Sequence, residues 1–245
     1  MLYLISIGLN SEKDMSLKAL EAAKKCNVLL WENYTTRLDT TAEKLSKLIG
    51  KGVKEVNRSD IEDKMDEIVE QAKEKNVGIL VGGDALSATT HISLVLEAKK
   101  QNVPVKLVHG SSIITAVAET GLQVYKFGRI VTLPASGFTD SIIEMVKMNL
   151  TNGLHSLILL DIDLTPSAAA KMLLENLNKL ELSKETKIVA ACKIGSDEAI
   201  IKYGAIESLT NDPDIDKVPG VLIIPGELHF MEEEALKMYE NDKNH

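Results

Sequence analysis

Residues 78–91 constrain the fold more than any other stretch, because they predict a strand, a tight turn and the start of a helix. The run 78–82 is short, apolar and β-prone, which is typical of a buried strand in a parallel sheet. The glycines that end it allow a tight turn, and Thr89 or Thr90 can cap the helix that follows. Ligands of open α/β sheets bind at the carboxyl ends of strands. Asp84 is therefore either part of a ligand site or the cap of an ordinary turn.

Predicted strands and helices alternate through the first half of the chain. A second polar turn, 109–112, follows the last of these strands and precedes a helix at 113–119 that ends at Gly121. Alternation of this kind implies right-handed crossovers and a parallel sheet. A capping box of Ser59 and Glu62 is predicted to begin the helix that carries the apolar stripe 61–72. The predicted strands are 2–8, 28–31, 54–56, 78–82 and 103–108.

The pattern breaks between 125 and 137, where we expect the boundary between an N-terminal α/β domain, residues 1–128, and a C-terminal α/β domain, residues 129–245. The second half is predicted to start with a helix at 142–150. Its strands 187–194 and 199–206 are joined by so short a link that they predict a hairpin, and hence a mixed sheet. Further strands are predicted at 156–160 and 221–224, helices at 168–180 and 232–239, and a charged tail that frays.

Composition excludes several classes of protein. The net charge of −8 and the absence of any Lys/Arg run longer than two disfavour unaided binding to nucleic acid. No apolar run approaches the ~18 residues of a membrane span, and the N-terminus does not look like a signal peptide, so a cytoplasmic protein without a membrane partner is expected. Cys26 and Cys192 are far apart and lack a CxxC pattern, which predicts reduced thiols and no metal site.

Motifs that would define other enzyme classes are missing. The first strand ends in Gly8-Leu9-Asn10-Ser11 without GxGxxG, and no GxxxxGK[ST], HExxH or GxSxG is present. Polar turns without an obvious nucleophile suit a reaction in which a cofactor carries the reactivity and the protein supplies position.

Three short motifs are specific: Ala88-Thr89-Thr90-His91, Tyr125-Lys126-Phe127-Gly128 and Pro225-Gly226-Glu227-Leu228-His229. On them the chain resembles the diphthine synthases, S-adenosylmethionine-dependent methyltransferases of the tetrapyrrole methylase-like family. Shorter matches carry the resemblance nearly from end to end: Leu2-Tyr3, Gly8-Leu9, Glu32-Asn33-Tyr34-Thr35, Gly83-Asp84, His109 with Ser112-Ile113, Thr120-Gly121-Leu122, Gly153-Leu154-His155 and Leu160-Asp161-Ile162.

The resemblance implies two α/β domains of tetrapyrrole methylase-like fold, a homodimer, and S-adenosyl-L-methionine bound in the cleft between the domains. It implies methylation of the amino group of the aminocarboxypropyl-modified histidine of translation elongation factor 2, with S-adenosyl-L-homocysteine as the product. Carried over position by position, the cofactor contacts fall on Leu9, Asp84, Ser87, Ser112, Ile113, Leu160, Ile194 and His229.

Alternatives remain for single residues and for the function. His91 and Asp84 are candidate proton acceptors, but His91 is alternatively a packed histidine. His229 is either a cofactor contact or a core histidine, and Ser112 is either a cofactor contact or only a helix cap. No catalytic residue is assigned. The alternative functions are a methylase of the same fold acting on a tetrapyrrole ring or ribosomal RNA, and a non-enzymatic dimeric binding module.

Overall fold

The computed structural model describes residues 1–240, so the predicted charged tail lies outside the described residues. The chain divides into two compact units, Met1–Ile114 and Thr115–His245, the second described as far as Glu240. Gly128, where the sequence predicts the boundary, lies inside the second unit, and its backbone N–H donates to the carbonyl of His155 at 2.9 Å.

The first unit is built on one parallel sheet, as the alternating pattern predicts. The strands run in the order β3-β2-β4-β1-β5, and every neighbouring pair is parallel. In chain order the elements are β1 (Leu2–Gly8), α1 (Leu17–Lys25), β2 (Val28–Glu32), α2 (Ala42–Ile49), β3 (Lys54–Val56), α3 (Arg58–Glu62), α4 (Met65–Glu74), β4 (Val77–Gly82), α5 (Ile92–Lys100), β5 (Val105–Val108) and α6 (Ile113–Ala116).

Both faces of this sheet are covered by helices. All seven residues of β1 are buried, and successive side chains enter different cores because a strand alternates between the two faces of its sheet. Leu2 and Leu4 pack on the face covered by α3, α4 and α5, whereas Tyr3 and Ile5 pack on the face covered by α1 and α2. Burial on both faces explains why β1 and β4 are continuous apolar runs.

The chain leaves the adjacent ends of β1 and β4 in opposite directions. From β1 it crosses to β2 on one side, and from β4 it crosses over β1 to β5 on the other side. Such a switch point opens a crevice outside the carboxyl ends of the strands, where ligands of open α/β sheets bind.

The second unit contains a mixed sheet in the order β6-β7-β10-β8-β9. Its β8 and β9 form the predicted antiparallel hairpin, in which Lys187 pairs with Ala205 and Cys192 with Ile200. The elements are β6 (Val131–Leu133), α7 (Asp140–Thr151), β7 (Ser156–Leu160), α8 (Pro166–Leu174), α9 (Leu177–Leu180), β8 (Lys187–Cys192), β9 (Ile200–Ala205), α10 (Ile206–Leu209), β10 (Gly220–Ile224) and α11 (Phe230–Lys237). Short 3-10 helices lie at Glu12–Asp14, Val117–Thr120, Val124–Lys126 and Pro213–Ile215.

Three predictions about local structure are wrong. The second half contains β6 before its first long helix, because this three-residue edge strand pairs parallel with β7. The continuous helix predicted for 168–180 is two helices, α8 and α9, separated by Glu175 and Asn176. The stripe 61–72 is likewise shared by α3 and α4.

The predicted helix caps also need correction. The capping box of α3 is formed by Asn57 and Asp60 rather than by Ser59 and Glu62. Neither threonine caps α5, which starts after His91 without a side-chain cap. Thr89 instead donates its hydroxyl proton to the carbonyl of Ala85 at 2.7 Å, so it closes the preceding turn.

Candidate functional site

The turns after β1 and β4 are joined by their backbones. Gly83 N–H donates to the carbonyl of Gly8 at 2.7 Å, and Gly8 N–H donates to the carbonyl of Gly83 at 3.2 Å. Leu9 follows directly and is partly exposed. A Cβ added at Gly83 would meet nothing within 4 Å, and its φ is +67°. The backbone of this turn is therefore open to a ligand that approaches the switch point.

Asp84 organises this turn through both carboxylate oxygens. Oδ1 accepts from Leu86 N–H at 3.0 Å and from the Ser87 hydroxyl at 3.3 Å. Oδ2 lies 2.8 Å from Nδ1 of His109 and accepts from Gly110 N–H at 3.2 Å. Burial acts to raise the pKa of Asp84, but these hydrogen bonds outweigh it and hold the pKa below its usual value. Asp84 thus caps its turn, and it also links that turn to the one after β5.

The turn after β5 is packed against the same strand ends. A Cβ on Gly110 would lie 2.7 Å from Cβ of Ser6, whose hydroxyl accepts from Ala85 N–H at 2.9 Å. Ser112 is buried, and its hydroxyl accepts from Ile114 N–H at 3.3 Å, so it does form a cap. Ile113 beside it is partly exposed. Five of the predicted contacts therefore lie on turns that leave β1, β4 and β5 at one edge: Leu9, Asp84, Ser87, Ser112 and Ile113.

The other three predicted contacts lie in the second unit. Strands β7 and β8 flank β10 and both run antiparallel to it, so their carboxyl ends share one edge. Leu160 ends β7, and the buried Ile194 follows β8 by two residues, so the fold brings both residues to that edge. His229 belongs to the segment that follows the carboxyl end of β10, which lies at the opposite edge of this sheet from Leu160 and Ile194.

His229 is exposed, so the core-histidine alternative is wrong. It caps α11: its Nδ1 accepts from Met231 N–H at 3.3 Å, while its own N–H donates to Glu232 at 2.8 Å.

Glu232 is the centre of a buried ionic network that the sequence did not reveal. Its side chain is fully buried and accepts from Gln123 N–H at 2.8 Å, from His229 N–H at 2.8 Å and from the Lys126 ammonium group. His155 Nδ1 accepts from Gly226 N–H at 2.9 Å, which leaves the ring proton on Nε2 to be donated to Glu232 at 3.0 Å. Burial acts to raise the pKa of Glu232, but these donors outweigh it and lower the pKa to about 2.

This network joins two of the motifs that carry the family resemblance. Lys126 comes from the Tyr125–Gly128 motif, and His229 comes from the motif that begins at Pro225. The joint presence of the two motifs was the only signal in the sequence that pointed to this network. Neither motif alone indicates a buried carboxylate.

His91 is packed rather than exposed to solvent. It is 1% exposed, its Nε2 lies 3.4 Å from the Tyr34 hydroxyl, and burial lowers its pKa although the Ala85 carbonyl acts in the opposite direction. The surroundings of His91 are therefore those expected of a packed histidine. Within residues 1–240 no cluster of three or more His, Cys, Asp or Glu side chains could hold a metal ion, and none of the helices has the length and apolar character needed to cross a membrane.

A switch point at the ends of β1 and β4, in a chain built from a parallel and a mixed sheet, is the framework of a known class of methyl-transferring enzymes. The sequence pattern of the Tetrapyrrole (Corrin/Porphyrin) Methylases matches residues 1–210, and the chain belongs to this family. It is an S-adenosylmethionine-dependent methyltransferase, as the resemblance predicts.

Within this family the chain is similar to diphthine synthases. It is 40% identical to the diphthine synthase of Methanocaldococcus jannaschii over 252 residues, which cover 97% of this chain and 98% of that protein. It is 36% identical to the diphthine synthase of Methanococcus maripaludis over 255 residues, covering 98% and 100% of the two chains. A crystal structure of diphthine synthase superimposes with a TM-score of 0.91 at 33% identity, covering 98% of this chain and 96% of the other. The predicted resemblance and fold class are thereby confirmed.

Proposed function

We propose that this methyltransferase acts as a diphthine synthase. It transfers methyl groups from S-adenosyl-L-methionine to the amino group of the aminocarboxypropyl-modified histidine of translation elongation factor 2. The observation that carries the proposal is the identity of 36–40% to diphthine synthases over nearly the whole of both chains. Neither alternative function, a ring or RNA methylase or a non-enzymatic module, is favoured by any feature of the described residues.

The residues at the switch point fit the proposed cofactor. Leu9 and Ile113 are partly exposed apolar side chains, and the open backbone at Gly83 lies between polar turns. Such a mixture suits a ligand with an apolar thioether and an aromatic base as well as hydroxyl and charged groups. We propose as cofactor contacts Leu9, Asp84, Ser87, Ser112 and Ile113 of the first unit, and Leu160, Ile194 and His229 of the second.

Asp84 contributes to this site through the shape of its turn. Its carboxylate oxygens already face four groups of the protein, so the side chain fixes the positions of Leu86, Ser87 and His109. S-Adenosylmethionine supplies a methyl group that is already activated on a sulfonium. The protein therefore needs mainly to align the free amine with that methyl group and to keep competing nucleophiles away.

The proposed partners follow from the proposed substrate. A net charge of −8 gives no long-range attraction to RNA, which supports a protein substrate over ribosomal RNA. Because a translation factor is the proposed substrate, we also propose a cytoplasmic location. A homodimer without nucleic-acid or membrane partners completes the proposal.

The test is methyl transfer from labelled S-adenosylmethionine. Four substrates are compared: elongation factor 2 bearing the aminocarboxypropyl group, the unmodified factor, ribosomal RNA and a tetrapyrrole precursor. We expect label only on the modified factor, and mass spectrometry of the product then counts the methyl groups and reveals any ester. Label on RNA or on the ring, with none on the modified factor, would overturn the proposal.

A further inference from the structure

A buried carboxylate at the end of β2 lacks a full set of partners. Glu32 is 2% exposed, and its Oε2 accepts from Tyr34 N–H at 3.3 Å and from Thr35 N–H at 3.0 Å. Its Oε1 is buried without a hydrogen-bond partner among residues 1–240. The hydrogen bonds to Tyr34 N–H and Thr35 N–H fix the backbone of the segment that follows β2, which contains Tyr34.

Glu32 belongs to a group of three side chains that we call the Tyr34 cluster: Glu32, Tyr34 and His91. Tyr34 is partly exposed, and its hydroxyl lies 3.4 Å from Nε2 of the buried His91. Because burial lowers the pKa of His91, the ring is neutral at pH 7 and one nitrogen is free to accept. We assign the ring proton to Nδ1, which is buried without a closer partner within residues 1–240 and interacts with the Ala85 carbonyl, so that Nε2 accepts the proton of the Tyr34 hydroxyl.

The cluster adjoins the turn that we propose for the cofactor. Strand β2 pairs with β4, where Trp31 is opposite Leu80. The segment after β2 then packs onto the end of β4, because a Cβ on Gly82 would lie 2.4 Å from the methyl group of Thr36. Gly82 is two residues before Asp84. Tyr34, a partly exposed residue of this segment, therefore lies at the same carboxyl edge of the sheet as the switch point.

We propose that the Tyr34 hydroxyl binds the amino group that is to be methylated, with His91 and Glu32 as positioning residues. This inference rests on the proposed function. With its own proton directed to His91, the Tyr34 oxygen has lone pairs free to accept an N–H of the substrate. An accepted N–H leaves the nitrogen lone pair to be directed at the methyl carbon, which is the alignment that the reaction requires.

The chemical step is balanced without a further reactant. The nitrogen–carbon bond forms as the carbon–sulfur bond breaks, and in transfers to a primary or secondary amine the methylated nitrogen afterwards releases a proton to water. Positive charge develops on the nitrogen during this step. The Tyr34 oxygen accepts a stronger hydrogen bond from a charged nitrogen than from a neutral one, so the contact favours the transition state over the ground state.

A purely structural role for Tyr34 is the competing explanation. The Arg58 guanidinium lies 5.1 Å from the centre of the Tyr34 ring, and the ring packs against the core beside α3. These contacts need the ring but not the hydroxyl. Replacing tyrosine by phenylalanine therefore separates the two explanations, because it removes the hydroxyl and keeps the ring.

The experiment compares Tyr34→Phe with Tyr203→Phe, a control at a partly exposed tyrosine on β9. The wild-type enzyme first establishes methyl transfer to the modified factor, so a failure there rejects the proposed function rather than this inference. For Tyr34→Phe we expect kcat/KM to fall about 10- to 100-fold, the size of a lost hydrogen bond to a charged group. Its calorimetric Kd for S-adenosylmethionine should stay close to that of the wild type, and its melting temperature should fall only by the few degrees that loss of the hydrogen bond to His91 explains.

Two His91 variants test the positioning role. The variant His91→Gln retains an acceptor for the Tyr34 proton, whereas His91→Leu does not, so we expect partial rescue of kcat by glutamine relative to leucine. An activity of Tyr34→Phe within twofold of the wild type would overturn the inference. So would a loss of cofactor affinity equal to the loss of kcat/KM, because it would place the hydroxyl at the cofactor.

Discussion

Two buried glutamates show how surroundings decide the charge of a single residue. Burial raises the pKa of Glu32 to about 7, because the hydrogen bonds it receives from Thr35 and Tyr34 do not compensate for the loss of water. Glu232 is even less exposed, but its four donors include an ammonium group, and its pKa falls to about 2. Glu232 is therefore ionised at neutral pH, and Glu32 changes its charge near pH 7.

These opposite shifts predict opposite effects of pH on stability. For Glu32 the folded pKa lies above the ordinary 4.5, so stability is lost as pH rises from 4.5 through about 7. Replacing Glu32 by Gln changes the free energy of unfolding by some amount at each pH. This change should be more stabilising at pH 8 than at pH 4, by up to about 3 kcal/mol. Urea denaturation of the variant and the wild type at both values measures the difference. A variant effect that is equal at pH 4 and pH 8 would contradict the prediction.

For Glu232 the sign is reversed. Its folded pKa lies below 4.5, so its contribution is complete above pH 4.5 and is lost as pH falls towards 2. Glu232→Gln should destabilise the protein at pH 6. The difference in the free energy of unfolding between the variant and the wild type should be about 2 kcal/mol smaller at pH 3. The same denaturation experiment serves as the check. A constant difference across this range would show that Glu232 is not held ionised by its donors.

Asp84 carries the prediction that belongs to the proposed cofactor site. Asp84→Ala removes the acceptor that joins the turns after β4 and β5, so we expect S-adenosylmethionine to bind more weakly by about 1–3 kcal/mol. Calorimetry on the folded variant gives the affinity, with Asp63→Ala as a control at an exposed aspartate. Unchanged affinity in a folded Asp84 variant would remove this residue from the site.

At the scale of elements, two glycines with similar backbones have different neighbours. Gly50 ends α2 with φ +76°, and a Cβ there would meet nothing within 4 Å. Gly121 has φ +85°, and a Cβ there would lie 2.2 Å from Cβ of Ala235 on α11. Gly50→Ala should destabilise the protein by about 1–2 kcal/mol, because of the strained backbone alone. Gly121→Ala should destabilise it by about 1–3 kcal/mol more, because its new Cβ also clashes with Ala235. Urea denaturation of both variants measures the difference, and equal effects would mean that α11 is not packed on Gly121.

Elements that bury a long apolar run were predictable, and short edge elements were not. Strands β1 and β4 are covered on both faces, so each is a continuous apolar run in the sequence. Strand β6 has only Leu133 buried among its three residues, so no periodicity marks it. Its existence depends on pairing with β7, which is a contact between distant parts of the chain.

The candidate site was predictable to the same extent. Asp84 could be located because it lies two residues after the end of a strand, and position at a strand end is a local property of the sequence. Glu232 could not, because its donors at Gln123, Lys126 and His155 are far away along the chain. From the sequence alone Glu232 is only an acidic residue in the first turn of a helix, which is common.

At the scale of the whole molecule, we predict a homodimer with a closed two-fold interface. Phe230 and Met231 on the first turn of α11 are 67% and 53% exposed, and Tyr125 is 81% exposed. Burying such side chains between two copies would stabilise an assembly. Light scattering at micromolar concentration should give twice the mass of the chain, and Phe230→Glu should lower the mass if this surface is used. A monomer mass for the wild type would contradict the prediction.

The position of β1 in its sheet has a consequence for how the protein is made. Leu2 pairs with Val77 on one side and with Val105 on the other, so β1 is an interior strand whose two partners both come later in the chain. Its seven apolar-rich residues stay without strand partners until β4 and β5 have been synthesised. An unpaired apolar strand is a template for aggregation, and pairings between distant segments form slowly. The first unit therefore passes through a stage with an unpaired apolar strand, and that stage ends only when β5 has been made.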